Sequence, residues 1–412
     1  MNRPLKVLFL TQTFPRFADD TAGPFIRELA RGLVAGGDEV TVLTPHAAGV
    51  EATWEVDGVR VESFRYAPQV LELIGYSRSL DRDEAIRLGA KLATPLYVLG
   101  ARRKIRQVLR RARFDLLHAH WVVPNALVAA PFAGDLPIGP GLHGSDVFLA
   151  ERAGVRKLVS HALARSSFLT GCSPELVDRV AALGFPREDA AVIPYGVDVD
   201  TFSPDRDRGW TWRQELGIPE GAPLILGVGR MVTKKGFHVL LEVLPSLLEE
   251  FSSSHFCLAG AGDLLEGFRE RTFSWSDRVH LPGIVLRDTL PDLYRGSDIF
   301  VLPAVHDAKG NVDGLPNVIL EAMASGLPVV ASGISGIPQV VESGDNGLLV
   351  EERKPDQLRA ALAELLSAPD RAREMGERSR ARAEAELTWT AIAGRYRESY
   401  VDGLNRALET RS

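Results

Sequence analysis

Residues 6–44 read KVLFLTQTFPRFADDTAGPFIRELARGLVAGGDEVTVLT, and this stretch decides the architecture. Lys6 to Thr11 is a short apolar run, the pattern of a strand buried on both faces. A polar loop covers Gln12 to Thr21, then Ala22-Gly23-Pro24-Phe25. From Phe25 to Ala35 the apolar residues fall at helical spacing, and Gly36-Gly37 ends the run. Glu39 to Thr44 is the next strand. Strand, loop, helix and strand in that order begin a doubly wound parallel sheet. The glycines are not spaced Gly-x-Gly-x-x-Gly, so the dinucleotide fingerprint is absent.

The same alternation continues outward from this unit. Asp57-Gly58, between Trp54 and Phe64, predicts a hairpin. Leu71 to Arg113 reads as helical and carries Arg102, Arg103, Lys104, Arg106, Arg110, Arg111 and Arg113, with Ile105, Val108 and Leu109 interleaved. Such a helix is either a solvated outer face or a surface for anionic lipid. Phe114 to His118 is a strand, followed by Ala119-His120-Trp121. Phe168 to Ser173 is another, with a helix starting at Ser173-Pro174. Ser203 to Asp207, rich in proline and charge, reads as a linker. A second series of strands and helices then begins at Pro223. Final helices are predicted over Pro355 to Leu366 and from about Trp389 to Leu408, where Trp389, Ile392, Tyr396 and Tyr400 recur every three or four residues.

Bulk properties bound the possibilities. A chain of 412 residues suggests two domains, and 45% hydrophobic with 25% charged residues is ordinary for a globular protein. The net charge of −6 argues against a nucleic-acid partner. Residues 1–205 carry 24 basic and 24 acidic side chains and residues 206–412 carry 24 and 30, so the negative balance sits in the second half. Cys172 and Cys257 lie in apolar runs, as buried reduced thiols of a cytosolic protein do. No signal peptide is legible, and no apolar run approaches the length of a membrane span. The expected location is the cytoplasm.

Two loops carry chemistry. Gly229-Arg230-Met231-Val232-Thr233-Lys234-Lys235-Gly236 follows a strand and precedes a helix from Phe237 to Glu250. Arg230 can grip phosphate oxygens with two parallel N–H bonds, and Lys235 adds a compact positive charge. Residues 310–326, GNVDGLPNVILEAMASG, predict a helix from about Pro316 to near Gly326. Asp313 then lies in the loop ahead of it, and Glu321 roughly 7 Å along its axis. Three Asp-x-Asp pairs, Asp81/Asp83, Asp198/Asp200 and Asp205/Asp207, are rejected as metal motifs because none has the surroundings that such a site needs.

In these residues and in the loops around them, the chain resembles the retaining glycosyltransferases of family 4. Asp313 and Glu321 match the family's acidic-x7-acidic signature, with Asp where the family has Glu. Gly229–Gly236 matches Gly-Arg-x-x-x-x-Lys-Gly. Gly139 to Val147 contains the family's His-Gly-Ser-Asp loop at His143. Ala191 to Phe202 is similar to Pro-Asn-Gly-Val-Asp, with Tyr195 for Asn. The resemblance implies an α/β protein of the GT-B fold, two Rossmann-like domains with parallel sheets facing an interdomain cleft. Residues 1–203 would bind acceptor and 204–387 the nucleotide sugar, with the helix 388–412 crossing back to the first domain.

The resemblance also implies roles. Arg230 and Lys235 would hold the donor diphosphate beside Gly229. Asp313 and the backbone N–H groups near Gly314–Asn317, in the loop formed with Leu315 and Pro316, would position the sugar. Glu321 would accept from the ribose hydroxyls, Gly283 would sit at the turn that meets the base, and His143 would bond a sugar hydroxyl. Gly23, His118 and His120 are candidates for the acceptor side, and Asn125 with Leu71 to Ala93 for the acceptor pocket. The expected reaction moves a hexose from a UDP- or GDP-sugar to a sugar, lipid-linked or small-molecule acceptor, without metal or cofactor. The Arg102–Arg113 region would give peripheral contact with an anionic membrane. A nucleotide-sugar epimerase and a non-catalytic nucleotide-sugar binder are the alternatives.

Overall fold

A computed structural model describes residues 3–17, 20, 22–76 and 88–409. The chain divides into two compact units, Met1–Gly196 with Trp389–Ser412, and Val197–Thr388.

The first unit is built on β1 (Lys6–Leu10), β2 (Glu39–Pro45), β3 (Thr53–Val56), β4 (Val59–Phe64), β5 (Leu116–His120), β6 (Ile138–Leu142), β7 (Leu169–Gly171) and β8 (Ala190–Val192). Their order in the sheet is β3-β4-β2-β1-β5-β6-β7-β8. Every neighbouring pair is parallel except the β3–β4 hairpin. That hairpin turns at Asp57 and Gly58, which have φ of 52° and 73°. Positive φ at both central residues matches the twist of the flanking strands. Leu5, Val7 and Phe9 bury one face against the helices Pro24–Ala35 and Trp389–Glu409, the latter through Ile392, Ala393, Tyr396, Tyr400 and Leu404. Leu8, Leu10 and Leu43 bury the other face against Tyr97, Ala101 and Ile105 of the helix Leu88–Leu109. The helical reading of 71–113 holds over Leu88–Leu109 only, since residues 72–76 and 110–113 are turn and coil. Residues 77–87, with Asp81 and Asp83, lie outside the described residues. The strand predicted at Phe114 to His118 runs instead over Leu116–His120. It continues because its alternate residues His118 and His120 find room inside the sheet's cover.

The second unit holds β9 (Leu224–Val228), β10 (His255–Ala259), β11 (Val279–Gly283), β12 (Ile299–Leu302), β13 (Val329–Ser332) and β14 (Gly347–Val350), ordered β11-β10-β9-β12-β13-β14 and wholly parallel. Residues 197–203 belong with it. Arg380 donates to the carbonyls of Val199 and Phe202 at 2.8 Å and of Ala324 at 2.6 Å, while Arg295 donates to those of Thr201 at 2.9 Å and Ser203 at 3.0 Å. The expected linker at Ser203 to Asp207 is instead a helix start. Asp205 caps Arg206–Glu215 by accepting from the Arg208 N–H. In each sheet the strand order reverses at one place, beside β1 and β5 in the first and beside β9 and β12 in the second. Ligands of open α/β sheets bind outside the carboxyl ends of the strands at such a point.

Candidate active site

In the second unit the loops leaving β9 and β12 meet at the reversal. Gly236, at φ 72°, lets them touch, because a Cβ there would stand 1.6 Å from the Pro303 carbonyl oxygen. The Val305 N–H donates to the Lys234 carbonyl at 3.0 Å. Across this seam the Nζ atoms of Lys234 and Lys235 each lie 2.8 Å from a different oxygen of Asp313. Burial alone would raise the Asp313 carboxyl, but Lys235 and Lys234 more than offset it and hold the group well below the usual carboxylate range. Lys235 is buried, its stem lying along Gly229. Arg230, next to Gly229 in the chain, is half-buried. Lys234 and Lys235 together carry one positive charge more than the Asp313 carboxylate that they share.

Asp313 is followed by Gly314, whose carbonyl accepts from the Gly336 N–H at 2.7 Å and from the Ser335 hydroxyl at 3.0 Å. Leu315 is buried, and Pro316, extended at φ −70° and ψ 118°, precedes the helix Asn317–Ala324. The predicted helix is thus present, one residue later at its start. Glu321 on this helix accepts from the Tyr294 hydroxyl at 2.8 Å. Burial pushes the Glu321 carboxyl up, against that hydroxyl and the charges of Arg287 and Lys235. Gly283 ends β11 with its carbonyl taken by the Gly260 N–H at 2.7 Å, and exposed Ile284 and Leu286 follow it.

In the first unit His118 and His120 lie two apart on β5, so both side chains share a face. Gly141 on β6 clears their space, since a Cβ there would come within 2.7 Å of His118 Nε2 and 3.3 Å of His120 Nδ1. His118 bonds the Tyr400 hydroxyl at 2.8 Å and the Thr170 hydroxyl at 3.1 Å. His120 Nδ1 lies 3.0 Å from His143 Nε2, and His143 Nδ1 lies 3.0 Å from the Tyr195 hydroxyl. Burial lowers all three imidazoles, His143 to about 3, so they are neutral at neutral pH. Asp146 accepts from the Val122 N–H at 2.7 Å and the His143 N–H at 3.3 Å, which orients the loop. Its carboxyl is pushed by burial up to about 6.

These contacts correct part of the sequence reading. His118 and His120 have no exposed surface, so neither reaches an acceptor in this conformation. Asn125 is also buried, bonded to the Tyr97 hydroxyl and the His120 carbonyl rather than lining a pocket. Gly23 caps the helix Pro24–Ala35 at φ 62°. The Asp198 carboxylate accepts from Asp200 N, Thr201 N and the Thr201 hydroxyl, which closes a turn. Among the described residues no three His, Cys, Asp or Glu side chains are grouped to hold a metal ion. Sequence reasoning missed Lys234 as a second partner of Asp313 and Tyr294 as the donor to Glu321. The doubled lysine was a usable signal for the first. A core tyrosine in a short helix offers none for the second.

Comparison with known proteins bears on these loops. Residues 22–201 match Glycosyltransferase Family 4, and residues 209–382 match Glycosyl transferases group 1. A GDP-mannose-dependent alpha-(1-6)-phosphatidylinositol monomannoside mannosyltransferase of Mycobacterium tuberculosis is 31% identical over 277 residues, 66% of this chain and 72% of that protein. A GDP-mannose-dependent monoacylated alpha-(1-6)-phosphatidylinositol monomannoside mannosyltransferase of Corynebacterium glutamicum is 29% identical over 329 residues, 79% of this chain and 85% of that one. Among solved structures, sucrose-phosphate synthase from Thermosynechococcus elongatus superposes with a TM-score of 0.75 at 21% identity, covering 99% of this chain and 100% of its own, a likeness of fold.

Proposed function

The chain belongs to glycosyltransferase family 4 and has the GT-B fold, and from that premise we propose that this hexosyltransferase works with retention at the anomeric carbon on a nucleotide diphosphate hexose. The observation that carries the reading is the Lys234–Asp313–Lys235 cluster at the reversal of the second sheet, on the loop that also carries Arg230. A donor diphosphate brings two negative charges. Arg230, Lys234 and Lys235 supply matching positive charge from a rigid seam, so they stabilise the leaving group as its charge grows. They take the neutralising part that a divalent ion plays in other transferases. Glu321, held by Tyr294, accepts from the ribose hydroxyls, and Asp313 orients the sugar. The chemistry is a same-face substitution. The bond from the anomeric carbon to the phosphate oxygen breaks with its electron pair going to phosphate. The acceptor oxygen forms the new bond, and its proton passes to the leaving phosphate. His143 bonds a sugar hydroxyl, exchanging one of its two present contacts for it.

The relatives' dependence on GDP-mannose makes GDP-mannose the first donor to assay, with UDP-hexoses next. Lipid-linked and sugar acceptors are the acceptors of choice. Release of free nucleoside diphosphate is measured with each donor and acceptor. Lys235→Ala and Arg230→Ala should each cut turnover about a hundredfold or more, the scale lost with a preorganised charge donor. EDTA should leave the rate unchanged. Near-normal rates in both variants would overturn the assignment. Isomerised sugar without acceptor would point to an epimerase, and binding without release to a sensor.

We also propose peripheral contact with anionic lipid through the helix Leu88–Leu109. Arg102 donates to the Leu127 and Val128 carbonyls, while Lys104 and Arg111 pair with Glu62. Leu96, Leu99, Arg103, Arg106 and Arg110 are exposed. Their spacing of three and four residues puts them on one stripe, apolar at one end and basic at the other.

A further inference from the structure

His120 has an edge that the reaction does not use. Its Nε2 is buried and has no hydrogen-bond partner. Its ring is clamped between His118, with centroids 4.1 Å apart, and the edge of Phe9, at 4.6 Å. Its other nitrogen faces His143 Nε2 at 3.0 Å. A neutral imidazole carries one proton, so only one of these two nitrogens donates. A proton on Nε2 would bury an unpaired N–H, and orphaned buried N–H groups are rarer than under-satisfied acceptors. The proton therefore sits on Nδ1 and is donated to His143 Nε2. The remaining proton of His143 is then on Nδ1, donated to the Tyr195 hydroxyl 3.0 Å away. Tyr195 has its own hydrogen-bond contact with the Cys172 sulfur, so the direction of the chain continues past it.

We propose that His120 is a positioning residue that fixes both the tautomer and the ring orientation of His143, so that His143 keeps Nε2 on His120 and turns its Nδ1–H from the Tyr195 hydroxyl to a sugar hydroxyl when substrate binds. The proposal rests on the reading of His143 as the group that meets the donor sugar. Tyr195 completes the device, because a hydroxyl reaches His143 Nδ1 as an acceptor. Phe25 packs against the His143 ring with centroids 4.7 Å apart, which holds the plane the two hydrogen bonds define. The vacancy at Gly141 admits both β5 imidazoles.

The test uses the full chain labelled with 15N-histidine, with the His143 signals identified by their loss in His143→Ala. In the wild type the His143 Nδ1 shift should lie in the protonated range and Nε2 in the unprotonated range. The reverse pattern overturns the proposal. His120→Leu should give a mixed or reversed tautomer and about a tenfold fall in kcat, the size of one lost hydrogen bond, with donor KM little changed. His120→Asn places an amide donor where Nδ1 was, and should restore both the tautomer and most of kcat. His120→Leu with wild-type tautomer and kcat, or a folded His120→Asn as poor as His120→Leu, overturns the proposal. Should His120→Leu fail to fold, the wild-type spectrum and His120→Asn decide. If His143→Ala retains turnover, the sugar-side reading of His143 falls, while the tautomer measurement still judges His120.

Discussion

One hydroxyl governs how Glu321 can act. The carboxylate sits on a helix whose other faces are packed, and the Tyr294 hydroxyl 2.8 Å away is its donor. A charge-assisted bond of this kind contributes about 1.5–3 kcal/mol. Tyr294→Phe keeps the ring and removes the bond, so burial raises the Glu321 carboxyl further. With Glu321 on the ribose, donor KM should rise about tenfold with a smaller change in kcat, since one such bond is worth that factor. Steady-state kinetics at varied donor checks this, and an unchanged KM would detach Glu321 from the ribose. Asp313 works the other way. Its carboxyl is held down by Lys235 and Lys234 against the effect of burial, so its contribution to stability is present above the ordinary aspartate range and is lost only as pH falls through its lowered value. Acid protonates other carboxylates before it breaks this pair.

At the scale of an element, β5 is a strand whose inner face is partly imidazole. His118, His120 and His143 are neutral in the fold because burial lowers all three, His143 to about 3. An unfolded chain protonates histidine below about 6.5. The unfolded state then binds more protons than the folded one, and stability falls as pH falls. Each histidine contributes up to about 1.4 kcal/mol per pH unit. Asp146 opposes this, because its raised carboxyl gains stability for the fold as pH drops from about 6 toward the ordinary value of 3.8. Three groups outweigh one, so the first unit should lose stability between pH 6.5 and 5, well above the usual onset of acid unfolding. Urea denaturation at pH 7.5 and 5.5 checks this, and equal midpoints would refute it. The neighbouring strand β6 sets a sharper limit. Gly141→Ala drives a methyl to 2.7 Å from His118 Nε2, between rings that have no free space. The variant should lose about 1–3 kcal/mol, the usual scale of overpacking. A melting temperature equal to wild type would show that the histidines can move.

At the scale of the molecule, the last helix is a structural part of the first unit. Trp389–Glu409 covers the sheet face that holds Phe9 and His118, and Tyr400 reaches His118 across 282 residues of chain. Ending the chain after Thr388 would uncover that face and leave the His118 bond to Tyr400 unmade. The truncated protein should aggregate or show no first-unit histidine spectrum, and a soluble product with the wild-type spectrum would count against this account. The charge pattern makes a separate prediction. The excess acid lies in residues 206–412, whereas the exposed stripe of Arg103, Arg106 and Arg110 belongs to the first unit. Co-sedimentation with phosphatidylglycerol vesicles should therefore be strong at low salt, weaken as salt screens the charges, and disappear in Arg103→Glu/Arg106→Glu/Arg110→Glu. Binding that survives the triple substitution would place the contact elsewhere.

Local pattern by itself determined the alternation of strands and helices, the Asp57-Gly58 hairpin and the glycine loops that end β9 and precede Asn317–Ala324. Those features follow from periodicity and turn chemistry, which depend on residues a few positions apart. The helix Pro369–Glu386 escaped the reading, since its sequence is charged on nearly every face. Tertiary structure alone decided that Asp313 is shared by two lysines, that Tyr294 serves Glu321, and that His118 and His120 are sealed inside with Tyr400 over them. Each of those pairings joins residues far apart in the chain. Which atoms meet across such distances is settled by close packing of side chains, and no short-range spacing encodes it.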